Sequence, residues 1–342
     1  MKQTRITSLV GTGNTSLGML ETRRARTMPR GVDFGGFTYI VGEGVEDFTR
    51  AYERMDFLKL ADSPESRALT YATLGDLLGE GSHKASVRIG FPIQLMLDKE
   101  AAQETRRKVR AWMVGAHDFQ IDGVRTQIEI TAVNTSSQPA GTYAAWALTN
   151  EGKPAILGDD KRATVAVCDV GFNTLDLHTI KPGSKSLRRF TDGATLGMHR
   201  AAETLRDALL HKYRLKLSLH AADALIRNQK KRIETRHGFK SIEDEVAQSL
   251  ANAASGVISF VSSLWEDLNA SVIIFTGGGA EALKPYLLEL YPTGRILEDP
   301  VMCNALGLSR LEKSSVARKQ ADGGISVIGL DPGFGAFKAV LL

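Results

Sequence analysis

One short pattern occurs twice in this chain, and it limits the fold more than any other feature. Val165-Ala166-Val167-Cys168-Asp169-Val170-Gly171-Phe172 and Val327-Ile328-Gly329-Leu330-Asp331-Pro332-Gly333-Phe334 both read as an apolar run, then Asp, any residue, Gly, Phe. Each continues through a small or polar turn (Asn173, Thr174; Gly335, Ala336) into a second strand-like run. The repeat predicts two β-hairpins, each with a carboxylate at the end of its first strand. A glycine just beyond that carboxylate lets the backbone approach an anion and turn N–H groups toward it. The Asp cannot touch a phosphate itself. It suits the hydrated magnesium that accompanies one, because magnesium keeps several waters and takes few protein carboxylates. Seven residues after the Asp the copies differ: Lys338 in one, Asp176 in the other. Only the Asp331 copy therefore carries a cation aimed at β/γ-phosphates.

Two more segments fit phosphate chemistry. Thr276-Gly277-Gly278-Gly279-Ala280 follows the apolar run Ser271 to Phe275 and precedes a helical pattern. Three glycines there leave a flat backbone surface for a base and ribose near a helix start; the alternative is a tight strand-to-helix turn. Ser137-Gln138-Pro139-Ala140-Gly141 separates a strand-like run from a helix. A neutral amide such as Gln138 orients an attacking water without titrating, and phosphoryl transfer depends mainly on positioning. An ordinary proline turn at a helix start is the alternative.

The rest of the chain alternates strands and helices, the mark of an α/β protein. Strands are expected at Phe37 to Val41, Ala85 to Gly90 and Val124 to Val133. Helices are expected at Leu69 to Leu78, Asp98 to Met113, from Gly141, at Leu196 to Leu210, through a polar stretch reaching Arg236, at Ser241 to Leu268, and from Val301. In the Ser241 to Leu268 segment Val246, Leu250, Ala253, Val257, Phe260 and Val261 recur at spacings of three and four.

Length and composition exclude several classes. At 342 residues the chain is long enough for two domains and a sizeable core. A net charge of +4 is too small to require a nucleic-acid partner. Two cysteines make no disulfide framework or zinc cluster, and Cys168 reads as a small core residue. No apolar run reaches membrane-spanning length and no signal-peptide core opens the chain, so a cytoplasmic protein is expected. There is no P-loop and no H-E-x-x-H; Gly11-Thr12-Gly13-Asn14-Thr15-Ser16-Leu17-Gly18 lacks the dinucleotide pattern and reads as a loop. The cluster Arg23, Arg24, Arg26 and Arg30 reads as a solvated loop, with DNA, an adaptor or a neighbouring subunit as the alternative partner. Gln229 to Arg232 is a candidate ribose or phosphate contact in which no single residue stands out.

Taken in order, these motifs resemble the actin-like ATPases, in the superfamily shared with sugar kinases and the 70-kDa heat-shock chaperones, and most of all the ParM-type and archaeal actin-like proteins. Asp331 to Lys338 is similar to the first phosphate motif of that family, Asp169 to Asp176 to the second, and Thr276 to Ala280 to the adenosine motif. Gln138 to Gly141 resembles the first segment connecting the lobes and Asp299 to Gly307 the second. Phe37 to Glu43 and Gly90-Phe91-Pro92 also resemble the subfamily. The resemblance implies an α/β, two-lobed, ribonuclease-H-like duplicated fold with a nucleotide cleft between lobes. It implies ATP or ADP with Mg2+ as cofactors. Asp331 and Asp169 would hold the metal. Gly333, Phe334, Gly335, Ala336, Lys338, Gly171, Phe172, Asn173, Thr174, Gly277, Gly278, Gly279 and Ala280 would contact the nucleotide. Gln138, Asp169 and Asp331 would act in hydrolysis. It further implies filaments, with plasmid partition or a cytoskeletal role and a DNA-binding adaptor among the roles and partners. A small-molecule kinase of the same superfamily and a nucleotide-switched scaffold are the alternatives, and the choice between ATP and GTP stays open.

One departure stands out. In the family the first phosphate hairpin opens the chain; here it closes it, after the polar stretch Val316 to Gly324. The order therefore resembles a circular permutant. The expected parts are lobe I at 1–137, completed by the hairpin at 325–342; lobe II with the connecting segments at 138–318; and a linker at 319–324. The permutation is expected to preserve the nucleotide site and to hinder filament contacts.

Overall fold

The computed structural model describes residues 1–13, 28–52, 61–156, 158–318 and 324–342. The Asn14 to Gly18 end of the glycine loop, Arg23, Arg24, Arg26 and the linker residues 319–323 lie outside the described residues. The chain forms two units, Met1–Ile156 with Asn304–Leu342, and Leu157–Cys303.

The first unit is built on a sheet of nine strands among the described residues. Along the sheet they run Lys2–Thr7, Ala336–Leu341, Ser326–Pro332, Gly81–Phe91, Val124–Ser137, Gly115–Ile121, Arg30–Phe34, Phe37–Val41 and Val10–Thr12. The segment that comes last in the sequence thus lies inside the sheet. Ser326–Pro332 pairs in parallel with Gly81–Phe91, while Ala336–Leu341 pairs with Lys2–Thr7, placing Lys2 opposite Leu341. Ile89, Phe91, Ile130, Phe119, Ile328, Leu330 and Phe337 form the core with Leu69 and Leu74 of the helix Pro64–Leu78. That helix starts five residues before the expected Leu69, because Ser63 caps it by accepting Ser66 N–H at 3.2 Å and Pro64 occupies its first turn. Asp98 caps Lys99–Met113 in the same manner.

The helices Gln138–Ala147 and Cys303–Arg318 meet backbone to backbone. A methyl built on Gly307 would overlap the Gly141 carbonyl oxygen and lie 2.5 Å from Ala145 N; one on Gly329 would overlap Ala305 O and Ser309 N of the same long helix. Further along, Glu312 is clamped to the sheet: Arg88 Nε stands 3.1 Å from Oε2, Ser86 donates to Oε1 at 2.5 Å, and Asn134 Nδ2 reaches both oxygens at 3.0 Å. Arg88 also donates to Ser136 and Ser315. Burial pulls the Arg88 guanidinium down from its usual value and Glu312 pushes back. Every charge in this network has a partner, as buried charges require.

The second unit has a sheet of six strands among the described residues. Lys185–Ser186, Leu175–Lys181, Val165–Val170, Val272–Thr276 and Arg295–Ile296 follow one another, and Asp192–Ala194 adds to Leu175–Lys181. Val165–Val170 is buried along its whole length. His199–Tyr213 and Glu243–Leu264 pack on one face; Ala253, Val257 and Val261 of the latter are core residues, as the spacing predicts, Ala254 joins them, and Val246, Leu250 and Phe260 pack against them partly buried. Glu243, Asp244 and Glu245 in its first turn complement the helix dipole. The polar stretch toward Arg236 departs from expectation. Its helix is Leu219–Arg227, and a separate two-stranded hairpin, Arg232–Thr235 with Gly238–Ser241, follows. Gln229, at φ +49°, interrupts the helical run, and Gly238, at φ +85°, makes the turn. Cys168 and Cys303 are both buried and form no disulfide, and burial pushes the Cys168 thiol far up, which leaves it no nucleophile.

Candidate functional site

The two Asp-x-Gly-Phe repeats are hairpins, one in each unit. In the first unit Ser326–Pro332 and Ala336–Leu341 pair antiparallel, with Asp331 opposite Lys338, and the next strand places Arg5 beside Lys338. Asp331 is fully buried. Its Oδ2 lies 2.5 Å from Lys338 Nζ, outside hydrogen-bond geometry, so charge holds the pair. Its Oδ1 accepts from Gln138 Nε2 at 2.7 Å, and the same nitrogen donates to Pro332 O at 3.0 Å. Both partners are acceptors, which fixes the amide orientation and leaves Gln138 Oε1 as the acceptor end. Gln138 packs beside Gly90 of the Gly90-Phe91-Pro92 segment, where a Cβ would come 3.1 Å from Gln138 Cγ. Within the turn, Gly333 N donates to Ala336 O at 3.1 Å. The Gly335 N–H donates to no protein acceptor among the described residues.

In the second unit Asp169 stands opposite Asp176 on one side and Thr276 on the other. Cross-strand partners share a face, so the row Asp176, Asp169, Thr276 lies on one face of the sheet. The neighbouring row, Leu177, Cys168 and Phe275, points into the core. Asp176 accepts from Thr174 Oγ1 at 3.0 Å, and Thr276 donates to Pro300 O at 2.9 Å. Asp176 stands where the other repeat carries Lys338, and its seven-residue spacing from Asp169 is the sequence signal for its place in this row.

The turn Gly171-Phe172-Asn173 presents its two sides differently. Its three carbonyls accept from Met198, His199 and Gly197 N–H groups at 3.0, 2.7 and 3.2 Å. The N–H groups of Phe172, Asn173 and Thr174 donate to no protein acceptor among the described residues. Carbonyls drawn inward and N–H groups left outward make an anion-binding concavity. The glycine turn of this unit packs beside it. Gly277, at φ +84°, donates its N–H to Pro300 O at 3.0 Å and abuts Asp169 and Val170 so closely that a Cβ would overlap both. Gly279 abuts Val170 and Met198, Ala280 is buried, and only Gly278 faces open space. The second unit therefore brings together Asp169, Gly171, Phe172, Asn173, Thr174 and Gly277 to Ala280. The first brings together Gln138, Asp331, Gly333, Phe334, Gly335, Ala336 and Lys338.

His220 stacks on Phe172, with ring centroids 5.2 Å apart and an interplanar angle of 18°. It is 5% exposed, its Nδ1 has no partner, and burial, with Arg227 adding to it, lowers its pKa to about 4. A histidine whose folded pKa lies below its unfolded value of 6.5 binds fewer protons when folded. Its stability contribution is whole above about pH 6.5 and is lost as pH falls toward 4, about 3 kcal/mol in all. In urea titrations between pH 7 and 4.5 wild type is expected to lose stability relative to His220→Phe as pH falls, the variant having lost that part of the acid sensitivity. Parallel curves would assign the sensitivity elsewhere.

Asp169 and Asp176 are paired carboxylates on adjacent strands. Among the described residues no cluster of three or more His, Cys, Asp or Glu side chains forms a direct metal site. No helix of the described residues is long and apolar enough to cross a membrane.

The fold and the paired hairpins define the class of the actin-like proteins. The model of the N-terminal domain of actin-like proteins matches residues 1–141, and that of the C-terminal domain of the archaeal MreB-like actin homologue matches residues 167–289. The chain belongs to the actin-like family. It is similar in structure to the archaeal actin homologue Ta0583, with a TM-score of 0.70 at 16% identity over 92% of both chains. Against that homologue's complex with ADP the TM-score is 0.64 at 20% identity, over 84% of this chain and 89% of the other. Against ParM in a 15-stranded filament from Clostridium botulinum it is 0.65 at 17% identity, over 89% and 90%. No curated protein matches the sequence significantly.

Proposed function

We propose that the chain is a nucleotide-dependent ATPase that assembles head to tail into filaments and works in the cytoplasm. The observation that carries the reading is the chemistry shared by the two hairpins. Each ends a strand on a buried Asp and turns on glycine with backbone N–H groups left for an anion. The ADP complex of the archaeal homologue and the ParM filament support nucleotide binding and self-association. In this reading the turn N–H groups and Lys338 take the phosphates, and the face of Gly278 takes the adenosine. Asp331, Asp169 and Asp176 hold the water shell of Mg2+, which when bound neutralises phosphate charge. Gln138, with Nε2 committed to Asp331 and Pro332, offers Oε1 to a water and holds it for attack. Segregation of plasmid DNA through an adaptor, or a cytoskeletal role, are the cellular roles that fit. Phosphate release from Mg-ATP, followed in parallel with pelleting, tests the reading; neither hydrolysis nor pelleting at micromolar protein would overturn it.

The segment order supports a circular permutation. An interior hairpin of the first sheet comes from residues 326–341, the family model for the N-terminal domain begins at residue 1, and Lys2 pairs with Leu341. Placing residues 325–342 ahead of Lys2 and ending the chain at Arg318 is expected to keep the melting temperature within a few degrees. Failure of that variant to fold would show that the present order is required.

A further inference from the structure

In each unit the second strand of the Asp-x-Gly-Phe hairpin pairs with a third strand, and the residues aligned across the three differ in charge between the units. In the second unit Asp169 stands opposite Asp176, and Asp176 opposite Gly193 of Asp192–Ala194. In the first unit Asp331 stands opposite Lys338, and Lys338 opposite Arg5 of Lys2–Thr7. Cross-strand partners share a face, and successive residues alternate between faces. Ile6, Leu330 and Phe337 point into the core, so Asp331, Lys338 and Arg5 stand together on the opposite face. The row in the second unit thus carries carboxylates and no cation. The row in the first carries one carboxylate and a pair of cations.

Those cations are not equivalent. Lys338 Nζ lies 2.5 Å from Asp331 Oδ2, so its charge is already offset within the protein. Arg5 is exposed and has no hydrogen bond or ion pair among the described residues. It therefore supplies the net positive charge of the row. We infer that Arg5 is a further phosphate-binding residue of the first unit, its guanidinium taking phosphate oxygens of the nucleotide beside the turn at 333–336. The inference rests on the nucleotide-binding reading and names a residue of that same site. Reach is sufficient. Residues directly opposite on neighbouring strands have Cβ atoms about 4.5–5.5 Å apart, and diagonal ones about 7–8 Å, which long side chains span. Ala336, which closes the turn, is diagonal to Arg5, and the directly opposite Lys338 already brings its Nζ within 3.6 Å of where a Cβ on Gly333 would lie. A guanidinium suits the task because its paired N–H donors match two phosphate oxygens at once. A cation on an edge strand also deters pairing with other strands. That role is indifferent to nucleotide, which separates the two by experiment.

The test compares wild type with Arg5→Met, Arg5→Lys and Arg5→Glu, reading the affinity for Mg-ATP and for adenosine by calorimetry, together with the melting temperature. Methionine keeps an unbranched stem without the charge, and lysine keeps the charge without the fork. The expected result is a roughly tenfold loss of Mg-ATP affinity in Arg5→Met, corresponding to about 1.4 kcal/mol, with a smaller loss in Arg5→Lys and a larger one in Arg5→Glu. The fall of Mg-ATP affinity with added salt should be shallower in Arg5→Met than in wild type. Adenosine, which carries no phosphate, should bind all four proteins alike. The melting temperature should hold within about 2 °C, since the side chain is exposed. Wild-type affinity for Mg-ATP in Arg5→Met overturns the role of Arg5 while leaving the nucleotide reading in place. An equal loss for Mg-ATP and adenosine assigns Arg5 to the shape of the sheet and also overturns it. Absence of Mg-ATP binding by wild type overturns both readings.

Discussion

Gly307→Ala is expected to lower the stability of the first unit by about 3 kcal/mol or more, beyond the usual range for one added methyl in a packed interior. The new methyl would occupy the position of the Gly141 carbonyl oxygen and press on Ala145 N. Both obstacles are backbone, so no rotamer change relieves them. Either helix must move, and neither moves alone. Cys303–Arg318 is tied to the sheet through Glu312 and Arg88 and lies against Gly329, while Gln138–Ala147 carries the amide that meets Asp331. At roughly 2–4 °C per kcal/mol for units of this size, the melting temperature should fall by about 6–12 °C or more. Gly278→Ala, with open space at its Cβ, is the matched control for stability and should change it by under about 1 kcal/mol. A melting curve for Gly307→Ala within 2 °C or so of wild type would show that the close helix approach is looser than described.

The second large effect is at Asp331. Asp331→Asn is expected to cut ATP hydrolysis by about 10²–10³, the usual loss when one positioned group is removed from a site of this kind. It should also cost about 3–5 kcal/mol, because the Lys338 ammonium, 14% exposed at its side chain, is left without its counter-charge. The two effects separate in the double variant Asp331→Asn with Lys338→Met. Removing both charges of a buried pair is far less costly than removing one, so stability should return most of the way. Hydrolysis should not return. Recovery of turnover along with stability would make the pair a structural ion bridge and remove Asp331 from the chemistry.

Much of the site was legible because its parts are local in sequence. Asp169 and Asp331 each sit a fixed step from a glycine turn, and alternation along a strand was enough to put Lys338 and Asp176 opposite them. Helix ends were legible where a cap was present and elements shifted where it was overlooked, as at Ser63. The hairpin at Arg232–Ser241 was missed because its residues are polar and carry no apolar alternation; only the positive φ positions mark it, and several residue types adopt these. Gly141 with Gly307 and the Arg88–Glu312 network were invisible for a different reason. Each depends on a contact between segments distant in sequence, and neither propensity nor periodicity registers such a contact. The glycine turn shows the converse limit: two of its three glycines are accounted for by the closeness of Asp169, Val170 and Met198 rather than by a ligand.

The interior position of the last hairpin has a consequence for how the polypeptide is made. Leu330 aligns with Ile89, and Leu341 with Lys2, so these ladders of the first unit join residues made early with residues made much later. Residues 157–303 are all available long before then and can fold as they emerge. Until residue 341 appears, Gly81–Phe91 and Lys2–Thr7 wait with unpaired edges. Pairings this distant close slowly, and nascent chains crowded on one message are then exposed to joining one another's strands instead of their own.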